Sequence, residues 1–370
     1  MTAARAPQVF DPGARAVFGT TPDGRRVDRV AIAGHGLSVG LITWGATIQD
    51  VRLAGYPQPL VLGYPVFPPY LVEGKSCGAI VGRFANRIGG ASAFIGGAQR
   101  RLDANFLGRH TLHGGSDGTG VRLWRLVDAG PDHATMADTL PDGHMGFPGQ
   151  LDVAVTYRIV PGPALEIGIT ATTDAETVCN FATHGYWNLD GRGDISAHVF
   201  QCDAPWFAPV DDELIPTGDP GPVSGTRHDW RQGAGMADRL HAGLIDVSLH
   251  LSDRRAAVPR PVARLSAPDG PTLTVETTEP AMQVYAGAHL NGGAPGLTGQ
   301  PYARFAGLAL EPQVGPDAPN RPGYPDPVLR VGETYRQVTR FRFTPGEEAG
   351  LKAPARGQAG APSPMEEDKG

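Results

Sequence analysis

The sequence predicts an all-β protein, and three observations carry that prediction. Glycine and proline number 51 and 35 in 370 residues, about twice the average share of these two residues, which calls for many turns. Hydrophobic residues still make up 41%, so the chain can fill a large core and reads neither as collagen-like nor as wholly disordered. The apolar pattern repeats every second residue in several stretches, and almost nowhere every 3.6.

Taken in chain order, strands are expected at 37–44, 46–53 and 78–83. The clearest follows at 151–160, LDVAVTYRIV, where Leu151, Val153, Val155, Tyr157 and Ile159 share one face. Pro161-Gly162-Pro163 interrupts it, and 165–173, LEIGITATT, alternates again. Proline fixes φ and glycine accepts positive φ, so the pair predicts an antiparallel hairpin. Further strands are expected at 178–189, 197–202, 272–278, 282–288, 305–311 and 335–343. A helical turn at 234–241 is the exception, because Gly and Pro break every other run that could keep a helical period. From Pro345 to Gly370 the only large apolar residues are Leu351 and Met365, too little burial to offset the entropy of ordering. The expected organisation is an N-terminal extension at 1–16, one large antiparallel domain at 17–344 and a disordered tail at 345–370.

Charge and cysteine usage narrow the function. Thirty-two basic against 38 acidic residues give a net charge of −6, which offers no field for a polyanion and argues against nucleic acid as a partner. Cys77, Cys179 and Cys202 are too few for a disulfide scaffold, and none is in CxxC spacing, so a reducing compartment and no structural zinc are expected. No apolar run is long enough to span a membrane, and the first residues lack a continuous apolar segment. A cytoplasmic protein is expected.

The residues that can carry chemistry are polar groups on strands that otherwise look buried. In VCNFATHGYWNL, 178–189, an extended chain places Cys179, Phe181, Thr183, Trp187 and Leu189 on one face and Asn180, His184, Tyr186 and Asn188 on the other. Alone, His184 reads as a satisfied core or surface histidine; imidazole, amide and phenol together on one face suit a polyol and shift the reading toward a site. In FAGLALE, 305–311, Glu311 closes an apolar run. Buried, it would have a raised pKa and act as a base near neutral pH; at the strand end it would only meet solvent. His110 and His113 precede a glycine pair, and Arg83 and Arg87 flank Asn86 in GRFANRI, where a guanidinium can fork onto hydroxyls or remain a solvated charge.

Three competing motifs fail on context. Gly114-Gly115-Ser116-Asp117-Gly118 has the pattern of a nucleophile elbow, but Thr119-Gly120 is a poor helix start. His110 and His113 would share a face only on a helix, so they do not make a metal pair. The glycine-rich 114–120 run lacks the Lys-Ser/Thr of a phosphate loop.

In order, GRFANRI at 82–88, TLHGG ending at Gly115, THGYWNL at 183–189, VDDELIPTGD at 210–219, MQVYAG at 282–287 and LEPQVGPDAPN at 310–320 resemble the aldose 1-epimerase (galactose mutarotase) family, from about Val17 to Phe343. The resemblance implies a β-supersandwich whose concave face holds one sugar, with neither cofactor nor metal. It also implies Glu311 as general base, His184 as general acid, and Asn86, Arg87, His113, Tyr186, Asp246 and Gln283 as sugar-binding residues. Thr183, Gly185 and Trp187 stand where the family usually has Asn, Ser and Phe, and Ile-Asp-Val-Ser-Leu stands around Asp246 in place of Asp-His-Asn. The activity implied is interconversion of the α and β anomers of a free aldohexose such as galactose or glucose. The alternatives are an epimerase of another sugar or a hexose 6-phosphate, and a non-catalytic sugar-binding protein.

Overall fold

The protein is described by a computed structural model covering residues 11–346. Residues 1–10 and 347–370, which include most of the expected extension and tail, lie outside the described residues. Strands dominate, and every strand pairing among the described residues is antiparallel. Four N-terminal strands, Arg15–Thr20, Arg26–Gly34, Leu37–Ile42 and Thr47–Leu53, form a meander. A nine-stranded sheet carries the predicted hairpin, Leu151–Val160 with Ala164–Thr173, in the register Leu151 opposite Thr173 through Val160 opposite Ala164. A six-stranded sheet contains Tyr186–Trp187, Leu308–Gln313, Ala281–Tyr285 and Asp246–His250 as neighbours, followed by Trp206–Phe207 and Gly221–Pro222. The expected helical turn is a helix at Met236–His241.

The six-stranded sheet positions the site because its two faces differ. Side chains alternate along a strand, so Val247, Leu249, Met282, Val284, Leu308 and Leu310 point one way into a core shared with the hairpin and the N-terminal meander. Burying each such side chain fully contributes about 1.5–3 kcal/mol, which fixes the register, since a one-residue slip would turn these residues outward. The intervening residues, Asp246, Gln283, Tyr285 and Glu311, are thereby committed to the opposite, cavity-lining face. Trp187 belongs to the core side, its ring centroid 4.6 Å from Phe341 and 5.7 Å from Phe343 of the large sheet.

Two sequence expectations are corrected. The stretch 178–189 is not one strand but three two-residue ladders, Thr177–Val178, Ala182–Thr183 and Tyr186–Trp187, each with a different partner. Asn180 explains the break: its side-chain amide donates to the carbonyls of Ala85 and Val314, and its Oδ1 accepts from the Val314 N–H at 2.8 Å. Asn188 likewise donates to the carbonyls of Arg192 and Ala306. Both amides therefore hold backbone, and neither lines the cavity that holds His184 and Tyr186. The stretch 305–311 shifts to Leu308–Gln313, so Glu311 lies inside the strand and not at its end. Pro312 is tolerated there because the Tyr186–Trp187 ladder reaches only Leu308 and Ala309, leaving that edge unladdered further along; the Gln337 amide caps the Pro312 carbonyl at 2.9 Å.

Candidate active site

Glycine geometry begins the site. Gly114 has φ +84°, and a Cβ there would lie 2.1 Å from the Gly82 carbonyl oxygen, so only glycine lets the TLHGG turn press against the GRFANRI loop. That contact sets two side chains in place. The Asn86 N–H donates to His113 Nδ1 at 3.1 Å, and the His113 N–H donates to the Asn86 carbonyl at 3.0 Å. Because Nδ1 accepts, the imidazole proton resides on Nε2. Asn86 Oδ1 accepts from the Arg87 N–H at 2.8 Å and from Arg87 Nη1 at 3.2 Å, orienting the guanidinium, which also lies 4.9 Å over the Phe106 ring. Asp317, from LEPQVGPDAPN, donates its N–H to the Arg87 carbonyl and accepts from the Gly89 N–H. Two motifs 230 residues apart in the chain are thus joined at one loop.

From the sheet side, Arg87 Nη2 approaches Asp246 Oδ2 at 3.4 Å, and the Gln283 amide donates to Asp246 Oδ1. Register explains the neighbours: Ser248, Gln283 and Glu311 lie opposite one another across three strands. Glu311 is 2% exposed, and its Oε1 stands 3.7 Å from His184 Nε2. His184 is 8% exposed, with its ring 5.1 Å from Tyr186 and 5.3 Å from His113. Glu311 Oε2, Gln283 Oε1 and Arg87 Nε are buried with no hydrogen-bond partner in the protein, which leaves acceptors and a donor for a ligand.

Burial dominates the electrostatics. It pushes the Glu311 carboxyl well above the ordinary carboxylate range, Asp246 adding to the rise and Arg87 opposing it. It draws His184 down to about 4, and His113 well below its usual range, with His184 and Arg87 adding to the latter. Both imidazoles are neutral near pH 7. His113 is then a neutral N–H donor, and burial favours the uncharged forms of both Glu311 and His184.

Together these groups line a cavity of about 470 Å³, within the range of small-molecule sites. The eight residues that the family resemblance assigns to the site all line it: Asn86, Arg87, His113, His184, Tyr186, Asp246, Gln283 and Glu311. His110 and Arg83 do not. His110 Nε2 pairs with Glu213 Oε2 at 2.7 Å and its Nδ1 accepts from the Gly90 N–H. Arg83 is buried and donates to the carbonyls of Pro148 and Gly149 and to Thr177 Oγ1. Sequence reasoning missed Phe106, Tyr285 and His289, which also line the cavity. Tyr285 was within reach, two residues beyond Gln283 on the same strand face; His289 lies in a loop with no local signal. Among the described residues no group of three His, Cys, Asp or Glu could hold a metal ion, and no helix is long and apolar enough to cross a membrane.

Comparison with known proteins gives a consistent picture. The family model described as Aldose 1-epimerase matches residues 28–342. Galactose mutarotase from Sus scrofa is 35% identical over 342 residues, covering 89% of this chain and 98% of that protein. Aldose 1-epimerase from Escherichia coli K12 is 33% identical, covering 87% and 96%. Among solved structures, an aldose epimerase homologue from C. elegans superposes with a TM-score of 0.80 at 30% identity, over 86% of this chain and 99% of that one. Galactose 1-epimerase from Lactobacillus acidophilus shares the fold, with a TM-score of 0.79 at 24% identity over 90% and 99%.

Proposed function

The chain belongs to the aldose 1-epimerase family, and from that premise we propose that its cavity interconverts the α and β anomers of free aldohexoses such as galactose or glucose, with Glu311 and His184 as the proton-transfer pair. The observation that carries the assignment is two buried titratable groups, 3.7 Å apart, on a cavity floor otherwise lined by donors and acceptors suited to hydroxyls.

Ring opening removes the proton from the C1 hydroxyl. The O1–H electron pair becomes the C1=O1 π bond, the C1–O5 bond breaks, and O5 takes the departing pair together with a proton. Glu311 accepts the first proton and His184 delivers the second. Burial favours the pair's proton on Glu311; its transfer to His184 gives a carboxylate base and an imidazolium acid without exchange with solvent. Arg87, which favours the carboxylate, assists. The aldehyde rotates about C1–C2, O5 attacks the other face, and reversed transfers restore the pair. His113 Nε2–H and Arg87 stabilise charge developing on oxygen. Asn86, Tyr186, Asp246 and Gln283 hold hydroxyls.

The test is polarimetry on freshly dissolved α-galactose and α-glucose. Glu311→Gln and His184→Ala are each expected to lower kcat by about 10²–10⁴-fold, the range of one general acid or base. Wild-type rates in both variants would overturn the roles assigned. The reading as an epimerase of phosphorylated sugars is not favoured, and we place the enzyme in the cytoplasm because Cys77, Cys179 and Cys202 are free and buried.

A further inference from the structure

We infer that His289 is a specificity-determining residue, donating an Nε2–H hydrogen bond to a sugar hydroxyl remote from C1, and that Tyr285 fixes the tautomer that makes it a donor. The inference rests on the mutarotase reading of this cavity and adds a recognition group to it.

Tyr285 and His289 form a closed unit at the cavity rim. Their rings stack at an interplanar angle of 7° with centroids 5.5 Å apart. The His289 backbone N–H donates to Tyr285 Oη at 3.0 Å, and Oη lies 2.6 Å from His289 Nδ1. The phenol proton has no other acceptor among the described residues, so the hydroxyl accepts from the main chain and donates to Nδ1. The imidazole proton must then be on Nε2, and no group among the described residues takes it. Tyr285 has used its hydroxyl, and offers a sugar only its ring. His289 is left with one directional donor at a cavity wall, its ring centroid 6.3 Å from Tyr186.

Position decides which part of a sugar this donor meets. Glu311 is fully buried, whereas His289 is exposed at the rim. A pyranose whose C1 reaches Glu311 presents its opposite edge, carrying the C3, C4 and C6 hydroxyls, to the rim. Unlike the Glu311–His184 pair, His289 touches no reacting atom, so it acts on binding and on discrimination between sugars.

The experiment measures mutarotation of galactose, glucose and their 3-, 4- and 6-deoxy analogues by the full-length protein and its His289→Phe, His289→Gln and Tyr285→Phe variants. Phe keeps a stacked ring and removes the donor; Gln places an amide N–H near the position of Nε2. His289→Phe is expected to lower kcat/KM for the parent sugars by about three- to tenfold, the worth of one neutral hydrogen bond, and chiefly through KM. One deoxy analogue should show no further loss in that variant, identifying the hydroxyl. His289→Gln should recover most of the activity, and Tyr285→Phe should fall between, as the tautomer is released. An equal loss for every sugar, a loss confined to kcat, or no loss would each overturn the inference while leaving the mutarotase reading intact. Absence of acceleration by the unsubstituted protein on any sugar would overturn that reading itself.

Discussion

Three influences of known sign act on the Glu311 carboxyl, two raising its pKa and one lowering it, and each can be altered separately. Burial and the negative charge of Asp246 raise its pKa, and Arg87 lowers it. Asp246→Asn removes a raising charge and releases Arg87 from its 3.4 Å contact, so both changes pull Glu311 downward. The active form of the pair carries one proton, and exists between the pKa of His184, about 4, and that of Glu311. The alkaline limb of kcat/KM is therefore expected to move to lower pH in Asp246→Asn, while the acid limb near pH 4 stays where His184 sets it. A pH–rate profile of both proteins checks this. Such signs could not be read from the sequence: Glu311 alone was equally a solvated strand end, and only the register with Gln283 and Ser248 shows it to be an interior group. Arg83 and Arg87 stand four residues apart in one motif, yet one braces carbonyls and the other lines the cavity. No property of arginine distinguishes them.

Elements were legible where a local rule was enough. The 151–173 hairpin appears with the predicted turn and faces because two ten-residue alternating runs meet at a Pro-Gly-Pro break. The N-terminal strands were missed because Arg15–Thr20 is short and mostly exposed, and because Asp28 and Arg29 interrupt the alternation of Arg26–Gly34. The stretch 178–189 misled for a different reason: alternation was present, but Asn180 diverts the chain by bonding backbone from two other segments. It ties Ala85, two residues from Arg87, to Val314, three residues beyond Glu311. Asn180→Ala leaves two buried carbonyls and one N–H without this partner, and one such unmatched group costs about 1–3 kcal/mol. We expect a loss of roughly 2–4 kcal/mol in stability, read by urea unfolding, and a reduced kcat as the two walls of the cavity lose their tie.

Across the whole molecule, the buried titratable groups couple stability to pH in opposite directions. Between about pH 6.5 and 4, unfolded histidines take up protons that buried ones refuse, so folding weakens as pH falls; buried carboxyls that keep a proton above 4.5 act in the contrary sense. His184 and Glu311 therefore act in opposite directions. At His250 burial alone sets the shift: it holds the imidazole at about 4, and Nε2 has no hydrogen-bond partner among the described residues. It is expected to cost the protein up to about 3 kcal/mol on acidification from pH 7 to 4. The fall in Tm over that range should be shallower in His250→Gln, a comparison made by thermal unfolding at each pH. The order of strands carries a consequence of another kind. Tyr335–Thr344 is the last strand of the chain among the described residues, yet it is laid between Ala164–Thr173 and Thr272–Thr277 in the middle of the nine-stranded sheet. On a ribosome, all the strands that flank this slot emerge first and must wait with two unpaired edges until Tyr335–Thr344 clears the exit tunnel. The sheet thus completes only after all its other strands have emerged, which leaves the nascent chain dependent on being shielded from self-association until then.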